Sequence, residues 1–135
     1  MNTPIRRFNP PGLFDSSVNH HSQVSVVEPG ELAFFSGQVA WRPDGTPPPD
    51  SHGEQTKIVM DHLRTCLDSV GATQDDIVAL RVYVVDWTPD KSEAIFAPLA
   101  DFLDGVEPSI TGVGVQVLAG PKLLIEVEMV ARVPG

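Results

Sequence analysis

The sequence has one cysteine, Cys66, so it can form neither an internal disulfide nor a metal cluster built from cysteines. It also lacks any apolar run near the roughly 20 residues that a membrane-spanning helix needs. The first residues, MNTPIRRFNPPGLF, contain basic side chains but not the apolar segment of a secretory signal. We therefore expect a cytoplasmic protein that does not insert into a membrane.

Positive charge is scarce as well. Nine lysines and arginines stand against 18 aspartates and glutamates, which gives a formal net charge of −9. Proteins that bind nucleic acids do so mainly through basic surface patches. The composition therefore argues against a nucleic-acid partner, and for the same reason against an anionic membrane surface.

What the sequence does contain is the pattern of a single α+β domain over residues 1–135. Residues 1–20 hold several prolines and show no periodicity, so we expect an irregular arm there. The remaining segments alternate between strand-like and helical periodicity. The first half predicts a hairpin with strands at 23–27 and 31–41, a loop at 42–53, and a helix from 54 to a capping glycine at 71. The second half predicts a strand at 75–87, a helix at 89–103, and strands at 109–118 and 123–133. Pro98 is expected to kink the second helix or to end it early. This order predicts a mixed sheet with two helices on one face.

Side chains alternate between the two faces of a strand, and two of the predicted strands separate those faces clearly. The rows expected under the helices are Leu123, Ile125, Val127, Met129, Ala131 and Val133 in the last strand, and Val78, Leu80, Val82 and Val84 in the strand at 75–87. The rows expected on the open face are Leu124, Glu126, Glu128, Val130 and Arg132, and Ile77, Ala79, Arg81, Tyr83 and Val85. An open face this apolar predicts burial by further copies of the chain.

The stretch PSITGVGVQVLAG, residues 108–120, has two glycines on one face of a strand. If its valines face the helices, Ile110, Gly112, Gly114 and Gln116 share the open face with Glu126. Glycines that leave room beside a carboxylate at a subunit interface predict a pocket. Two structural alternatives stay open, namely that the glycines only mark a bulge or a close backbone approach, and that Glu126 or Glu128 pairs with Arg81 without doing chemistry.

Four segments resemble the Rid superfamily, also called the YjgF family of reactive-intermediate deaminases. They are ELAFFSGQVAW, the QT that opens the first helix, VALRVYVVDW and LLIEVEMVA, and the resemblance runs from about residue 30 to residue 131. It implies a chorismate-mutase-like α+β subunit. It also implies a homotrimer that holds small-molecule metabolites in pockets between neighbouring subunits.

One position departs from the family pattern. Members with imine deaminase activity carry an arginine two residues after the proline that opens the penultimate strand, where it pairs with the substrate carboxylate. Here the stretch is Pro108-Ser109-Ile110, and isoleucine can neither neutralise a carboxylate nor donate a hydrogen bond to it. The resemblance therefore does not imply a standard 2-imino-acid deaminase. It does imply that Glu126 positions the attacking water, and Arg81 is a hypothetical replacement for the missing cation.

Two functions stay open from the sequence. The first is an enzyme that hydrolyses a small imine, enamine or related molecule, with Glu126 orienting or deprotonating water. The second is a non-catalytic trimer whose pockets hold a metabolite. Ribonuclease activity, a label sometimes attached to the family, is disfavoured by the acidic charge. In either function Ser36 and Tyr83 are further candidate pocket residues, Ser36 as a lining residue because no base accompanies it.

No metal and no organic cofactor are expected. The histidines at 20, 21, 52 and 62 do not have the spacing of metal ligands. The glycines at 112 and 114 do not form a dinucleotide-binding fingerprint, because no helix follows them. Cys66 lies on the apolar stripe of the first helix and is expected to pack as a small apolar residue.

Overall fold

The computed structural model describes residues 4–135. The strands are β1 (Ile5–Phe8), β2 (Val24–Val27), β3 (Leu32–Gln38), β4 (Ile77–Val85), β5 (Ser109–Val115) and β6 (Ile125–Arg132). The helices are α1 (His52–Ser69), between β3 and β4, and α2 (Ser92–Leu103), between β4 and β5. Within residues 4–135, no helix has both the length and the apolar character that crossing a membrane requires.

The segment before β2 is more ordered than the sequence predicts. Part of the expected irregular arm forms β1, which pairs antiparallel with β2, and Ser16–Asn19 form a short 3₁₀ helix. Residues 1–3 of that arm lie outside the described residues. The predicted hairpin is also wrong: β2 and β3 belong to different sheets, because β2 pairs with β1 and β3 pairs with β6. The turn between them leads from one sheet into the other.

The main sheet has four strands in the order β3-β6-β4-β5. β6 is antiparallel to both of its neighbours, whereas β4 and β5 are parallel. A parallel pair needs a crossover connection, which α2 provides. The prediction of a mixed sheet with two helices on one face is confirmed, since one buried apolar cluster joins the inner faces of α1 and α2 to the sheet.

The helix ends follow the chemistry of their caps. The Ser51 hydroxyl accepts a hydrogen bond from the Glu54 backbone N–H at 3.2 Å, so α1 begins slightly earlier than predicted. Gly71, at φ 69°, follows the end of α1, where the left-handed conformation favours glycine. Pro98 does not end α2, which continues to Leu103. The Ala94 carbonyl, which Pro98 cannot bond, instead lies close to Gly53 of α1, where an added Cβ would be 3.3 Å away.

Two strand faces differ from the prediction. In β4 the pairing with β6 shifts between Ile77 and Ala79, so Ile77 is fully buried and Val78 is only half-buried. The larger correction concerns β5. Its parallel register places Ile110 beside Leu80, Gly112 beside Val82 and Gly114 beside Val84. Residues paired in this way point to the same face, so Ile110, Gly112 and Gly114 face the helices and not the open side.

Candidate active site

Glu126 lies two residues from Glu128, which stands opposite a bulge in β3. Phe35 pairs with Met129 and Gln38 pairs with Val127, so two residues, Ser36 and Gly37, stand opposite Glu128 alone. The bulge brings the Gly37 backbone against the Glu126 side chain. A Cβ at Gly37 would be 2.6 Å from Cδ and 2.8 Å from Cγ of Glu126. The glycine that makes room for the carboxylate is therefore Gly37.

The Glu126 carboxylate opens into a cleft of about 790 Å³ between the end of β3, α1 and the loop before β6. The cleft is lined by Gly37, Gln38, Val39, Trp41, Arg42, Pro43, His62, Thr65, Cys66, Ala119, Leu123 and Glu126. Glu126 is half-buried, and within residues 4–135 no group forms a hydrogen bond or an ion pair with its carboxylate. Its oxygens are therefore available to a water molecule or a ligand.

Gln55 fixes two of the loops that border this cleft. Its side chain is fully buried, and Nε2 donates to the Pro49 carbonyl and to the Lys122 carbonyl, each at 2.8 Å. Its Oε1 accepts from the Leu124 backbone N–H at 2.9 Å. One amide thus joins the proline-rich loop before α1 to the turn before β6, and the walls of the cleft are held in a defined geometry.

Aromatic and helical side chains complete the walls. Trp41 packs over Gly120, where an added Cβ would lie only 2.5 Å from Cζ2 of the indole. From α1, the His62 ring nitrogen Nδ1 lies 3.1 Å from the Val39 carbonyl oxygen. Cys66, one turn further along, is half-buried, and burial raises the pKa of its thiol above the ordinary value. A thiol kept protonated is a poor nucleophile, so Glu126 is the better candidate for acid–base chemistry here.

The second acid of β6 has a partner. The Tyr83 hydroxyl donates a hydrogen bond to Oε1 of Glu128. That hydrogen bond, followed by desolvation and by the negative charge of Glu128, raises the pKa of Tyr83, while Arg81 acts in the opposite direction. Within the described part of the chain Glu128 thus pairs with Tyr83, and neither acid forms an ion pair with Arg81.

The structure separates the predicted pocket residues into different places. Ile110 packs against the helix-side core and borders, with Gly112, an opening of about 390 Å³. Gly112 and Gly114 border a smaller opening of about 210 Å³, and Phe96 of α2 lines both. The prediction that these residues share a face with Glu126 is wrong, because β4 lies between β5 and β6 and because β5 presents its other face.

The remaining predicted residues lie outside the cleft or at its edge. Arg81 is exposed on the open face beside Tyr83, and it does not line the cleft. Gln116 is exposed just beyond β5. Ser36 is exposed in the bulge, and its carbonyl accepts from Gln38 Nε2 at 3.0 Å. Of the predicted site residues, only Glu126 lines the cleft itself.

Sequence reasoning missed Gly37, Arg42 and His62. A glycine inside a predicted strand is a signal for a bulge, and Gly37 in FFSGQ carried that signal. His62 and Cys66 are four residues apart on a helix, which places them on one face. Arg42 gave no signal, since it follows the strand in a loop whose course depends on Gln55.

The sequence profile of the family described as Endoribonuclease L-PSP matches residues 15–133. The chain belongs to this family, the YjgF/Rid superfamily. The RutC family protein YjgH of Escherichia coli K12 is 33% identical over 114 residues, which cover 84% of this chain and 85% of that protein.

Solved structures of Rid proteins have the same fold. YyfB from Yersinia pestis, described as a Rid family protein of unknown function, has a TM-score of 0.89 and 35% identity, and the match covers 96% of this chain and 98% of YyfB. YyfA from the same organism has a TM-score of 0.69 and 26% identity, with 84% and 87% of the two chains covered. The fold predicted from the resemblance, an α+β subunit of the Rid type, is thereby confirmed.

Proposed function

We propose that this Rid-family protein is a cytosolic homotrimer that hydrolyses the C=N bond of a small metabolite, with Glu126 as the catalytic base. The observation that carries the proposal is the Glu126 carboxylate, which has no partner among residues 4–135 and opens into a cleft where Gly37 leaves room for it. Glu128, its neighbour on the same face, is committed to Tyr83 and serves a structural role.

The chemistry needs one water molecule and one base. The imine reacts in the form protonated at nitrogen. Glu126 accepts a proton from water as the water oxygen bonds to the carbon of C=N, and the electron pair of the double bond moves to nitrogen. Glu126 then gives that proton to nitrogen, accepts the proton of the new hydroxyl as the C–N bond breaks, and releases it to solvent. Ammonia or an amine leaves and a carbonyl product remains. A carboxylate in this position contributes about 10²–10⁴-fold to such a reaction.

The placement of β5 supports a pocket shared between subunits. Glu126 and Ile110 lie on opposite faces of the sheet with β4 between their strands, so one subunit cannot bring them together. The open face carries large apolar side chains that water covers poorly, among them Phe34, which is 75% exposed. A neighbouring copy placed on this face would bury these groups and bring its own residues to the cleft. That the assembly has three subunits is inferred from the resemblance to Rid proteins.

Ile110 argues against the standard 2-imino-acid substrate geometry. Its side chain contacts the apolar core and offers no hydrogen bond to an anion. We propose that the substrate either lacks a carboxylate at that position or binds its anionic group elsewhere in the pocket.

The test compares two acids on the same strand. Imines are generated in situ from 2-aminoacrylate and other enamines, and their loss is followed with purified protein. Glu126→Gln is expected to lower turnover at least about 100-fold, whereas Glu128→Gln retains most of it. Equal turnover in both variants contradicts the role of Glu126. No turnover by the unchanged protein, together with a metabolite retained through purification, supports the binding-only alternative.

A second variant tests Ile110. Ile110→Arg is expected to create or raise hydrolysis of 2-imino acids, because the guanidinium can pair with their carboxylate. Ile110→Gln is the matched control, since it is polar but uncharged. If Ile110→Arg folds, as thermal unfolding reports, and turnover of 2-imino acids stays unchanged, then this position does not select the substrate.

A further inference from the structure

The arginines of the described residues mostly have partners within the chain. Arg7 donates to the Asp75 and Ile77 carbonyls, each at 2.8 Å, and Arg64 pairs with Asp61 at 2.8 Å. Arg132 donates to the Glu28 and Pro29 carbonyls. Arg42 is different, because it lines the same cleft as Glu126 and belongs to none of the ion pairs that the described residues form.

The Arg42 guanidinium retains most of its hydrogen-bonding capacity. Nη2 donates to the Pro47 carbonyl at 2.6 Å, and Nε, like that of Arg7, is buried without a hydrogen-bond partner. A guanidinium has five N–H donors arranged as a planar fork. A buried donor without a partner costs free energy unless a ligand or water satisfies it. The donors that remain for an anion in the cleft are therefore Nη1 and the second N–H of Nη2.

Hydrogen bonds within the loop that carries Arg42 define its course. The Gly45 N–H donates to the Arg42 carbonyl at 3.0 Å and closes a turn, and Asp44 accepts from the Thr46 N–H and hydroxyl at 2.9 and 2.6 Å. Asp44 accepts hydrogen bonds from Thr46 and forms no ion pair with Arg42. The hydrogen bonds from Thr46 lower the pKa of the Asp44 carboxyl, and the nearby charge of Arg42 adds to that shift. Three prolines follow, and the carbonyl of the last one, Pro49, is held by the buried Gln55.

We propose that Arg42 binds a carboxylate of the small molecule that occupies the cleft, and so supplies the anion contact that Ile110 cannot. The inference rests on the proposed function for the statement that the same molecule is hydrolysed at Glu126. The planar fork of Arg42 matches a carboxylate, and the Trp41 indole beside it offers an apolar surface to the rest of the ligand. The substrate class is then a small carboxylic acid whose C=N group lies toward Glu126.

Binding of 2-oxobutanoate, compared with its methyl ester, tests the contact without any turnover. Isothermal titration of the intact protein is expected to show tighter binding of the acid. Arg42→Gln is expected to weaken binding of the acid about 10- to 100-fold and to leave binding of the ester unchanged, because only the acid uses the charged fork. Arg81→Gln, which removes a cation outside the cleft, retains the binding of the acid.

Arg42→Lys keeps the charge without the fork and is expected to give intermediate affinity. It also serves as the second variant, since Arg42→Gln loses the bond to Pro47; thermal unfolding of both variants reports folding. The inference is overturned if wild-type protein binds the acid no better than the ester, or if folded Arg42→Gln binds the acid as wild type does. Imine turnover separates the two proposals. If Glu126→Gln loses turnover but Arg42→Gln binds the acid as wild type does, only the role of Arg42 is refuted. Arg42-dependent binding without any turnover refutes only the hydrolase.

Discussion

At the scale of single residues, Tyr83 reports directly on the polar groups of the open face. It is the one tyrosine of the chain, so the ultraviolet absorbance of tyrosinate measures its titration alone. The hydrogen bond to Glu128 raises the pKa of Tyr83 above its ordinary value of about 10. Glu128→Gln is expected to lower this pKa, and Arg81→Gln to raise it further, because Arg81 favours the tyrosinate.

The raised pKa of Tyr83 also makes the free energy of unfolding depend on pH. A group whose pKa is raised on folding contributes stability that is present below the unfolded pKa and is lost as pH rises through the folded pKa. The contribution of Tyr83 is therefore expected to disappear in alkali, above about pH 10, and to be smaller in Glu128→Gln. Glu126→Gln is the control and leaves the titration nearly unchanged. A wild-type midpoint at or below the ordinary tyrosine value would contradict the hydrogen bond to Glu128.

Gly37 and Gly112 make a matched pair of glycine positions. Gly37→Ala places a methyl group against the Glu126 side chain, which has to move away. We expect a loss of free energy of unfolding of about 1–3 kcal/mol and at least a tenfold loss of turnover. Gly112→Ala meets no atom within 4 Å and leaves both quantities near the wild-type values. Urea unfolding and imine turnover measure the two effects, and equal behaviour of the two variants would refute the role given to Gly37.

At the scale of elements, Gln55 is the polar group on which the two cleft loops depend. Gln55→Leu keeps the size of the side chain but leaves the Pro49 and Lys122 carbonyls and the Leu124 N–H without their partner. Buried polar groups without partners cost about 1–3 kcal/mol each, and the losses do not add fully. We therefore expect Gln55→Leu to lower the free energy of unfolding by at least about 2 kcal/mol.

The control for this element is Gln116→Leu, the same substitution at an exposed position. It is expected to change the free energy of unfolding by less than about 0.5 kcal/mol. Denaturant unfolding of the two variants side by side measures the difference. A small, equal effect in both would show that the proline-rich loop and the turn before β6 are held by other contacts.

The two faces of some strands could be predicted from the sequence and those of others could not, for a physical reason. β6 has neighbours on both sides and helices on one face, so its strict alternation of Val127 and Met129 with Glu126 and Glu128 predicts its two faces correctly. β5 is an edge strand that pairs at length only with β4 and forms a single isolated bridge, Ser109 with Ser22, on its other side. Its Val113 is 44% exposed. Its alternation of glycine and valine therefore carried no information about which face meets the helices.

The cleft depends on contacts between distant segments, which a local pattern does not encode. Glu126 was predicted from the family resemblance and lies in the cleft. Gly37 reaches Glu126 through a bulge, and Arg42 reaches the cleft through a loop that Gln55 fixes from 13 residues away along the chain. Sequence periodicity describes one strand or helix at a time, so it could not place these residues together.

At the scale of the whole molecule, the open face of the sheet requires an explanation that one subunit does not provide. Phe34 and Leu32 of β3, an edge strand, are 75% and 45% exposed, and Val113 of β5 at the other edge is 44% exposed. Apolar groups spread over one face of a sheet in this way are stabilised when another protein surface covers them. This is the physical basis for the homotrimer in the proposed function.

Phe34→Glu tests that association and its link to function together. A carboxylate buried at a subunit contact is strongly unfavourable, so we expect light scattering after gel filtration to show three copies for the wild type and one for Phe34→Glu. Ala97→Glu, a comparable change at an exposed position of α2, is expected to stay trimeric. In the proposed function a neighbouring subunit completes the pocket, so we expect the Phe34→Glu monomer also to lose turnover, although Glu126 and its cleft are untouched. A folded monomer that keeps full turnover would show that the cleft of one subunit is sufficient, and the shared pocket would have to be abandoned.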